Sequence, residues 1–546
     1  MDALEFHLEQ GKKLFDSRGS LLSFWQEVAD NFYPERADFT TVRNLGTDFA
    51  DNLTTSYPIL ARRDLGNALG SMLRPTSKEW FRIRTTENWE QLGAEARAWL
   101  EWAGSKLKRA MYNRRAQFTR ATKEADHDFA AFGQAVLQTS LNRNADGLLY
   151  RCWHLRDVAW RENEEGMVDT VYRKWKPTAR DLATLFPGKI HPNVKAKLEK
   201  EPMHEVNVWH CIVPSDMYEK ENGKASRTPF RSYYIDVDNK HMMEDVGLFM
   251  MEYVIPRWQT VSGSQYAYSP STVAALPDAR LIQAMTSVLL EAGEKAVNPP
   301  MIAVMEALRS DVSIYAGGIT IADAEYDERL GDVLRPLTQD IKGIPLGLDM
   351  ARDTRAMISD CFYLNKLALP PSEREMTAYE IGQRVQEYIR QAMPLFEPME
   401  AEYNAPICEN TFSLMLRAGA FGSPMDIPRE LQGVAYEFAF ESPLHDATER
   451  QKGQRFLEAR SMLAEAIALD QSSVAMFDVK VALRDVLQGI NVPAKWTRSE
   501  EAVEAIQQEQ QQQQQAAMLL DQMQKGSDVA KTMAEAQAIA PAEATI

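Results

Sequence analysis

The sequence predicts an α+β protein that is mainly helical, and three observations carry that prediction. Residues 1 to about 130 place apolar side chains at helical spacing, beginning with Leu14, Leu21, Leu22, Trp25 and Val28. From about Gly133 to Trp258 the chain breaks into short segments rich in β-branched and aromatic residues, divided by turn signals. From Ser269 the helical spacing returns and, after one short β-like island, runs toward the C-terminus. At 546 residues the chain exceeds what one hydrophobic core holds, ~250–300 residues. Its 45% apolar and 25% charged residues are the composition of a globular chain.

Along the first part, a helix from about Tyr57 to Leu73 stops before Pro75 and leads into strand-like Trp80 to Thr85. A third helix is expected over about Ala94 to Ala125. It carries Lys106, Lys108, Arg109, Arg114, Arg115, Arg120 and Lys123 with no acid between them. This is the basic stretch of an acidic chain, and Lys106, Lys108, Arg109, Arg114 and Arg115 form a candidate contact face for DNA or a neighbouring subunit.

The β region contains GLLYRCWHLRDVAWREN, MVDTVYRKW, NVWHCIVP, RSYYIDVD and GLFMMEYVIPRW. One helix interrupts it after Pro177, with Thr178 as its N-cap. Ser269-Pro270 then supplies a capping residue followed by proline at the first helical position. Pro277-Asp278 permits a bend and restart. Leu281, Met285, Val288, Leu289, Ala292 and Ala296 follow as one apolar stripe, ended by Asn298-Pro299-Pro300.

Residues 301 to about 345 read as a small island, with MIAVM and GGITIA as strands and Gly317-Gly318 as a turn. A helix over about Leu348 to Leu367 carries Ile358, Cys361, Phe362 and Leu364 on its apolar side and ends before Pro370-Pro371. Ser372-Glu373-Arg374-Glu375 is a polar connector into a long helix reaching about Leu416. Pro394, Pro398 and Pro406 should kink or break that helix. VAYEFAFESP reads as a strand, and helices are expected over Ala447 to Leu469 and in DVKVALRDVLQGINVP. From Glu501 the Gln/Ala/Met-rich end is a helical or partly disordered tail.

Several function classes are excluded or weakened. No stretch reaches ~18 uninterrupted apolar residues, so no membrane-spanning helix is expected. The N-terminus has early acids and no apolar h-region, unlike a signal peptide. Cys152, Cys211, Cys361 and Cys408 lack C-x-x-C spacing and fit reduced thiols. No P-loop, G-x-G-x-x-G, G-x-S-x-G or H-E-x-x-H occurs. Glu124, Asp126, His127 and Asp128 have metal-ligand residue types, but neighbours on a helix point in different directions. They read as a solvated helix face. His204 and His210 sit in an alternating segment, both facing one side, with no third ligand. No catalytic residue, metal or cofactor is assigned. The net charge of −17 argues against a protein that coats nucleic acid tightly, because such proteins neutralise phosphates with Lys and Arg.

The order of elements is unusual: a helical and β body, a helix, a small β island, a returning helix, a polar connector, and a long kinked helix back into the body. In that order lie LGSMLRPTSKEWFRI, VYRKWKPTARDLATLFP, VIPRWQTVSGSQYAYSPSTVAALPDARLIQ, MTAYEIGQRVQEYIRQAMPLFEPMEAEYNAPI, YEFAFESPLHDATERQ and NVPAKWTRSEEAVEAIQQEQ. Together they resemble the head-to-tail connector, or portal, proteins of short-tailed, T7-like bacteriophages, through nearly the whole chain.

The resemblance implies a portal fold: wing, two-helix stem, small β-containing clip and helical crown, assembled as a ring usually of twelve subunits. It implies a wing over 1–276 and 377–420, stem helices over 277–298 and 346–367, and a clip over 299–345. It also implies a tunnel loop over 368–376, a crown over 421–500 and a tail over 501–546. The implied function is a ring at one capsid vertex, a component of the virion assembled in the host cytoplasm. The implied partners are further copies of the chain, double-stranded DNA in the channel, the terminase, a tail adaptor, and capsid and scaffolding proteins, with no membrane. Ser372, Glu373, Arg374 and Glu375 would approach DNA in the tunnel loop. Glu291, Glu294, Asp349, Asp353 and Asp360 on the stem would line the channel with weak, even repulsion or pair across subunits. Where the family pattern leads to a glycine before the stem, this chain has Ala267, in Tyr266-Ala267-Tyr268-Ser269-Pro270. Two alternatives are another virion assembly component, such as a tail adaptor, and a metal-dependent nuclease using Glu124 to Asp128.

Overall fold

The structure is a computed structural model that describes residues 3–42, 53–76, 78–86, 92–216, 226–304, 343–367, 399–440 and 456–464, with isolated positions elsewhere. The chain divides into two compact bodies. One comprises Met1–Trp80, Leu107–Ala420 and Ser442–Leu444; the other comprises Phe81–Lys106, Phe421–Glu441 and His445–Ile546.

The first body opens with helices α1 (Ala3–Asp16) and α2 (Gly19–Phe32), followed by α3 (Tyr57–Leu73). In the second body, strand β1 (Phe81–Thr85) pairs antiparallel with a strand far along the chain, Tyr436–Phe440. Both strands were legible from their aromatic and β-branched residues. Trp99, Trp102 and Phe421 pack together there, with ring centroids about 6.1 Å apart.

The expected helix over Ala94 to Ala125 is two helices. Helix α4 is Ala94–Met111 and α5 is Phe118–Phe132, separated by a 3-10 turn at Arg114–Ala116. Asn113 caps that turn by accepting from Arg115 N, and Gln117 takes a left-handed φ of 59°. The seven basic residues therefore do not share one helical face. Nor is α5 solvated: eleven of its fifteen residues are buried, including Asp126, His127 and Asp128.

The β region forms two antiparallel sheets. Strand β2 (Val136–Leu141) lies between β3 (Leu148–Trp153) and the short β9 (Tyr253–Val254). The larger sheet runs β4 (Val158–Glu162), β5 (Val168–Trp175), β6 (Val208–Pro214), β7 (Phe230–Asp236) and β8 (His241–Leu248) in chain order. Helix α1 covers one part of it, where Phe15 joins Ala159, Tyr172, Cys211, Val213, Tyr233 and Ile235 in a core cluster.

Between β5 and β6 stand two helices where one was expected. Helix α6 (Ala179–Leu185) starts at Thr178, which accepts from Asp181 N at 3.2 Å as expected. Helix α7 (Pro192–Lys200) starts at His191, whose ring nitrogen accepts from Asn193 N at 3.2 Å. The polar run NVKAKLEK hides this helix from periodicity, because only Val194 is fully buried. A separate cluster of Ala179, Leu182, Phe186, Val194, Val206, Val208 and Met243 fixes this lobe to the sheet.

Helix α8 spans Pro270–Val297 without stopping at Pro277. Proline there cannot donate to Val273 O, so the helix continues with one backbone hydrogen bond fewer. Among the described residues it is the helix long and apolar enough to cross a membrane, but it is capped into a folded body and packs along a partner helix. After Asn298, strand β10 (Met301–Ala303) pairs with β11 (Leu334–Pro336). The strand expected at GGITIA and its Gly317-Gly318 turn fall outside the described residues, save for isolated positions.

Helix α9 (Gly343–Cys361) begins five residues before the expected Leu348 and breaks at Phe362-Tyr363, with Tyr363 at φ 55°; helix α10 (Leu364–Leu367) follows. Phe362 is fully buried against Phe32, which explains the break: its side chain turns into the body. The connector Ser372 to Glu375, most of the long helix after it, and most of the chain from 441 onward lie outside the described residues. At the end of the expected long helix the structure describes a π-turn, Glu400–Asn404, leading into α11 (Ala405–Arg417). The π-turn sits immediately before Pro406, where a break was expected, and widens the helix where proline cannot donate.

Burial sets a pH response. Burial depresses His7 to about 4, and burial together with Arg62 depresses His127 to about 4. A histidine depressed on folding contributes stability that is complete above its unfolded pKa of about 6.5 and is lost as pH falls toward the folded value. Thermal unfolding should therefore be level from pH 8 to 7 and drop by several degrees between about pH 6.5 and 4. His127→Gln should flatten that decline relative to its own value at pH 8. A midpoint independent of pH across this range would contradict the buried neutral histidines.

Candidate functional site

The projecting pair α8 and α9 is held at its base by the end of α5. Helices leave their last carbonyls without intrahelical partners. Here Ser269 Oγ donates to Ala130 O at 2.8 Å, and Thr272 Oγ1 donates to Ala131 O at 2.8 Å. Ser269 also caps α8 by accepting from Thr272 N at 3.4 Å. Gly133 ends α5 at φ 74°, with its N–H on Phe129 O and its carbonyl accepting from Trp258 N at 2.7 Å. A Cβ on Gly133 would overlap the backbone of Tyr268 and Ser269. The conformation and the close approach both require glycine.

Ala267, by contrast, is fully buried and lies outside the positive-φ region. Its N–H donates to Gln134 Oε1 at 2.9 Å. The turn into α8 thus needs no glycine at 267. Further along, Gln283 Oε1 accepts from Thr54 N and Thr55 N, and its amide donates to Thr55 O. Arg280 pairs with Glu27.

The two helices pack closely: a Cβ on Gly347 would press on Leu289 Cδ2 at 2.8 Å. The predicted apolar stripe of α8 is divided. Met285, Leu289 and Ala292 are partly covered, whereas Leu281 and Val288 are 44% and 64% exposed. Helix α9 has four sectors, one of them an exposed flank of Leu348, Arg352 and Arg355 on the far side of its acids. Ala351, Thr354 and Ile358 are buried. Asp349, Asp353 and Asp360 fall within about 40° of one another on the opposite side, by the helical repeat. Leu346, Met350 and Met357 form an exposed apolar flank between the two.

Of the predicted stem acids, Glu291 is paired within its own helix, with Lys295 Nζ at 2.5 Å, which holds its carboxyl below the usual range. Glu294, Asp349, Asp353 and Asp360 are exposed and make no ion pair among the described residues; Asp360 accepts from Asn365 Nδ2. An all-exposed row of like charge beside an exposed apolar flank is unfavourable for an isolated chain and suits one that associates through the flank.

The predicted basic residues do not form one site. Lys106 stands over the Trp102 ring at 4.8 Å, Lys108 donates to Lys78 O, and Arg115 lies 3.9 Å from Asp146. No ion pair of Arg109 or Arg114 occurs among the described residues. The Glu124 to Asp128 cluster is corrected more sharply. Arg120 pairs with Glu124, Arg74 with Asp126 and, bidentately, Arg36 with Asp128, while Arg62 donates to His127 Nδ1 at 3.0 Å. None of the four is free to take a metal. His210 is buried, bonded to Tyr253 and Ser232, while His204 contacts Lys197 near the surface. Among the described residues no group of three His, Cys, Asp or Glu is placed to hold a metal ion. The four cysteines are free thiols. Arg120 and Glu124 are four apart on one helix, but the clamps on Asp126, His127 and Asp128 were not legible in sequence, since those arginines lie 52 to 92 residues away.

Residues 8–497 match the sequence profile of a family described as bacteriophage head to tail connecting protein. A relative named probable portal protein, from Bordetella phage BPP-1, is 25% identical over 448 residues, 81% of this chain and 79% of its own. The portal protein of Salmonella phage epsilon15 is 22% identical over 553 residues, 98% of this chain and 96% of its own. Among solved structures, a chain of a native gene transfer agent virion aligns with a TM-score of 0.33 and 9% identity, over 80% of this chain and 95% of that one.

Gly133→Ala tests the base of the projecting pair. It should cost on the order of 3 kcal/mol, visible as a large fall in unfolding midpoint or loss of soluble protein. A variant as stable as wild type would contradict the close approach at Tyr268.

Proposed function

The chain belongs to the bacteriophage head-to-tail connecting protein family, and from that premise we propose that α8 and α9 are the stem of a portal ring whose acidic face lines a DNA channel. The chain is a portal protein of phage head-tail connection and a component of the virion. The observation that carries the channel reading is the division of α9 into four sectors, among them a buried side, an exposed apolar flank and an opposite row of Asp349, Asp353 and Asp360. Copies packed flank to flank cover the apolar residues and leave the acids facing a common axis.

In this reading the body up to the stem, with 377–420, is the wing, 299–345 is the clip, and 421–500 is the crown. The clip engages the packaging terminase and later the tail adaptor, and the wing meets capsid and scaffolding proteins. Ser372 to Glu375 form the tunnel loop, where Arg374 touches phosphate transiently and Glu373 and Glu375 keep the contact weak. The ring number of twelve and the T7-like grouping rest on the sequence segments alone. No catalytic step is assigned: the chain guides DNA while another protein supplies the work.

An acidic wall lowers affinity for the duplex at every position, so no register traps it. Cationic contacts would do the reverse, with a steep salt dependence. Changing Asp349, Asp353 and Asp360 together to Lys should leave rings intact, raise their affinity for duplex DNA about tenfold or more at low salt, and slow packaging. The Asn triple variant should fall between. Rings with unchanged DNA affinity and packaging would show that these acids do not face the channel. Separately, deleting Ser372 to Glu375 should leave rings that package or retain DNA poorly; packaging and retention like wild type would remove the tunnel-loop role.

A further inference from the structure

The two ends of strand β5 differ in charge. Strand β5 begins at the β4–β5 turn, where Glu164 and Glu165 are exposed beside Met167, itself 64% exposed. Asn163 holds that turn, accepting from Glu165 N and Met167 N. At its other end, about 25 Å away for a strand of this length, β5 enters the α6–α7 lobe. Residues 174–201 carry seven Lys or Arg against three acids, in a chain whose total is −17. Lys176, Arg180, Lys195 and Lys200 are exposed and make no ion pair among the described residues. Lysines in the last turn of α7 offset its dipole, which accounts for Lys197 and Lys200 but not for the others.

The lobe also exposes two apolar side chains. Leu185 is 43% and Met203 64% exposed. Arg180 lies beside Met203, since Arg180 N donates to Pro202 O at 3.1 Å and Ala179 N to His204 O at 2.9 Å. The packed cluster beneath keeps this surface fixed. Exposed apolar side chains among these charges on a packed base suit a protein partner better than a phosphate backbone.

We propose that the acidic β4–β5 turn of one copy docks on the basic α6–α7 lobe of the next, Met167 meeting Leu185 and Met203 while Glu164 and Glu165 meet Arg180 and Lys200. The contact joins two unlike patches, the heterologous kind of interface that closes a ring, and so it rests on the portal reading. Its partner is a second copy of this chain, because the complementary surface stands at the far end of the same strand.

Charge exchange in the full-length chain tests it, with assembly followed by mass photometry at several salt concentrations. Glu164→Lys with Glu165→Lys, and separately Arg180→Glu with Lys200→Glu, should each raise the concentration needed for rings at least tenfold while leaving the unfolding midpoint unchanged. Met167→Asp should do likewise, and all four charge reversals together should restore assembly. Charge variants that assemble like wild type, or a combination no better than either pair, would overturn the contact while leaving the ring reading intact. So would variants that assemble normally but lose affinity for duplex DNA, which would make the lobe a nucleic-acid surface. A wild-type chain that stays monomeric would overturn the ring reading and this contact together.

Discussion

Helix Phe118–Phe132 is the constraint on which the rest of the first body depends. It is buried on most sides yet carries Asp126, His127 and Asp128 in its last two turns. Burying such groups is costly unless each is paired and hydrogen-bonded. Each is met by an arginine from another segment: Asp126 by Arg74 and His127 by Arg62, both of α3 and its C-cap, and Asp128 by Arg36 after α2. Arg74 reaches further, donating to Asn404 of the π-turn at 2.8 Å. Burial disfavours the charged form of Asp126, while the adjacent Arg74 guanidinium works the other way. Removing any one arginine would strand a buried acceptor, so the helix fixes α2, α3 and the π-turn as a set.

The same helix aims α8. Its last carbonyls are satisfied by hydroxyls of Ser269 and Thr272, and Gly133 lets the following backbone pass against Tyr268. Each hydrogen bond contributes only about 1 kcal/mol net, but together they leave one direction for α8. The second contact, of Gln283 with Thr54 and Thr55, lies nearly four turns along the helix and removes the remaining freedom. The proposed ring would require every copy to hold α8 at the same angle, and this seam would set that angle.

Much of the fold was legible because local pattern and final environment agree. The alternation of the sheet strands, the Thr178 cap, the Ser269-Pro270 start and the Asn298 stop all follow from residues a few positions apart. Long-range compensation was not legible. The charged run of α5 reads as a solvated face because its arginine partners lie 52 to 92 residues away in sequence for Asp126, His127 and Asp128. Helix α7 is hidden by its polar surface, and the break at Gln117 shows no glycine or proline to announce it. For the candidate site, Asp349, Asp353 and Asp360 are legible as a row from their spacing, and they are exposed. The covering of only part of the α8 stripe appears once Leu289 is seen against Gly347 of α9 while Leu281 and Val288 remain exposed.

That exposed surface is where charge and association meet. The acids of α9 and the net charge of −17 disfavour gripping DNA, while Leu281, Val288, Leu346 and Met350 leave apolar surface that an isolated chain has no use for. The most direct measurement is electron microscopy of the purified full-length protein in physiological salt. Closed rings of uniform subunit number, with a central hole wide enough for a DNA duplex, are the predicted result. Monomers at high concentration, or open filaments without a closed channel, would contradict the account.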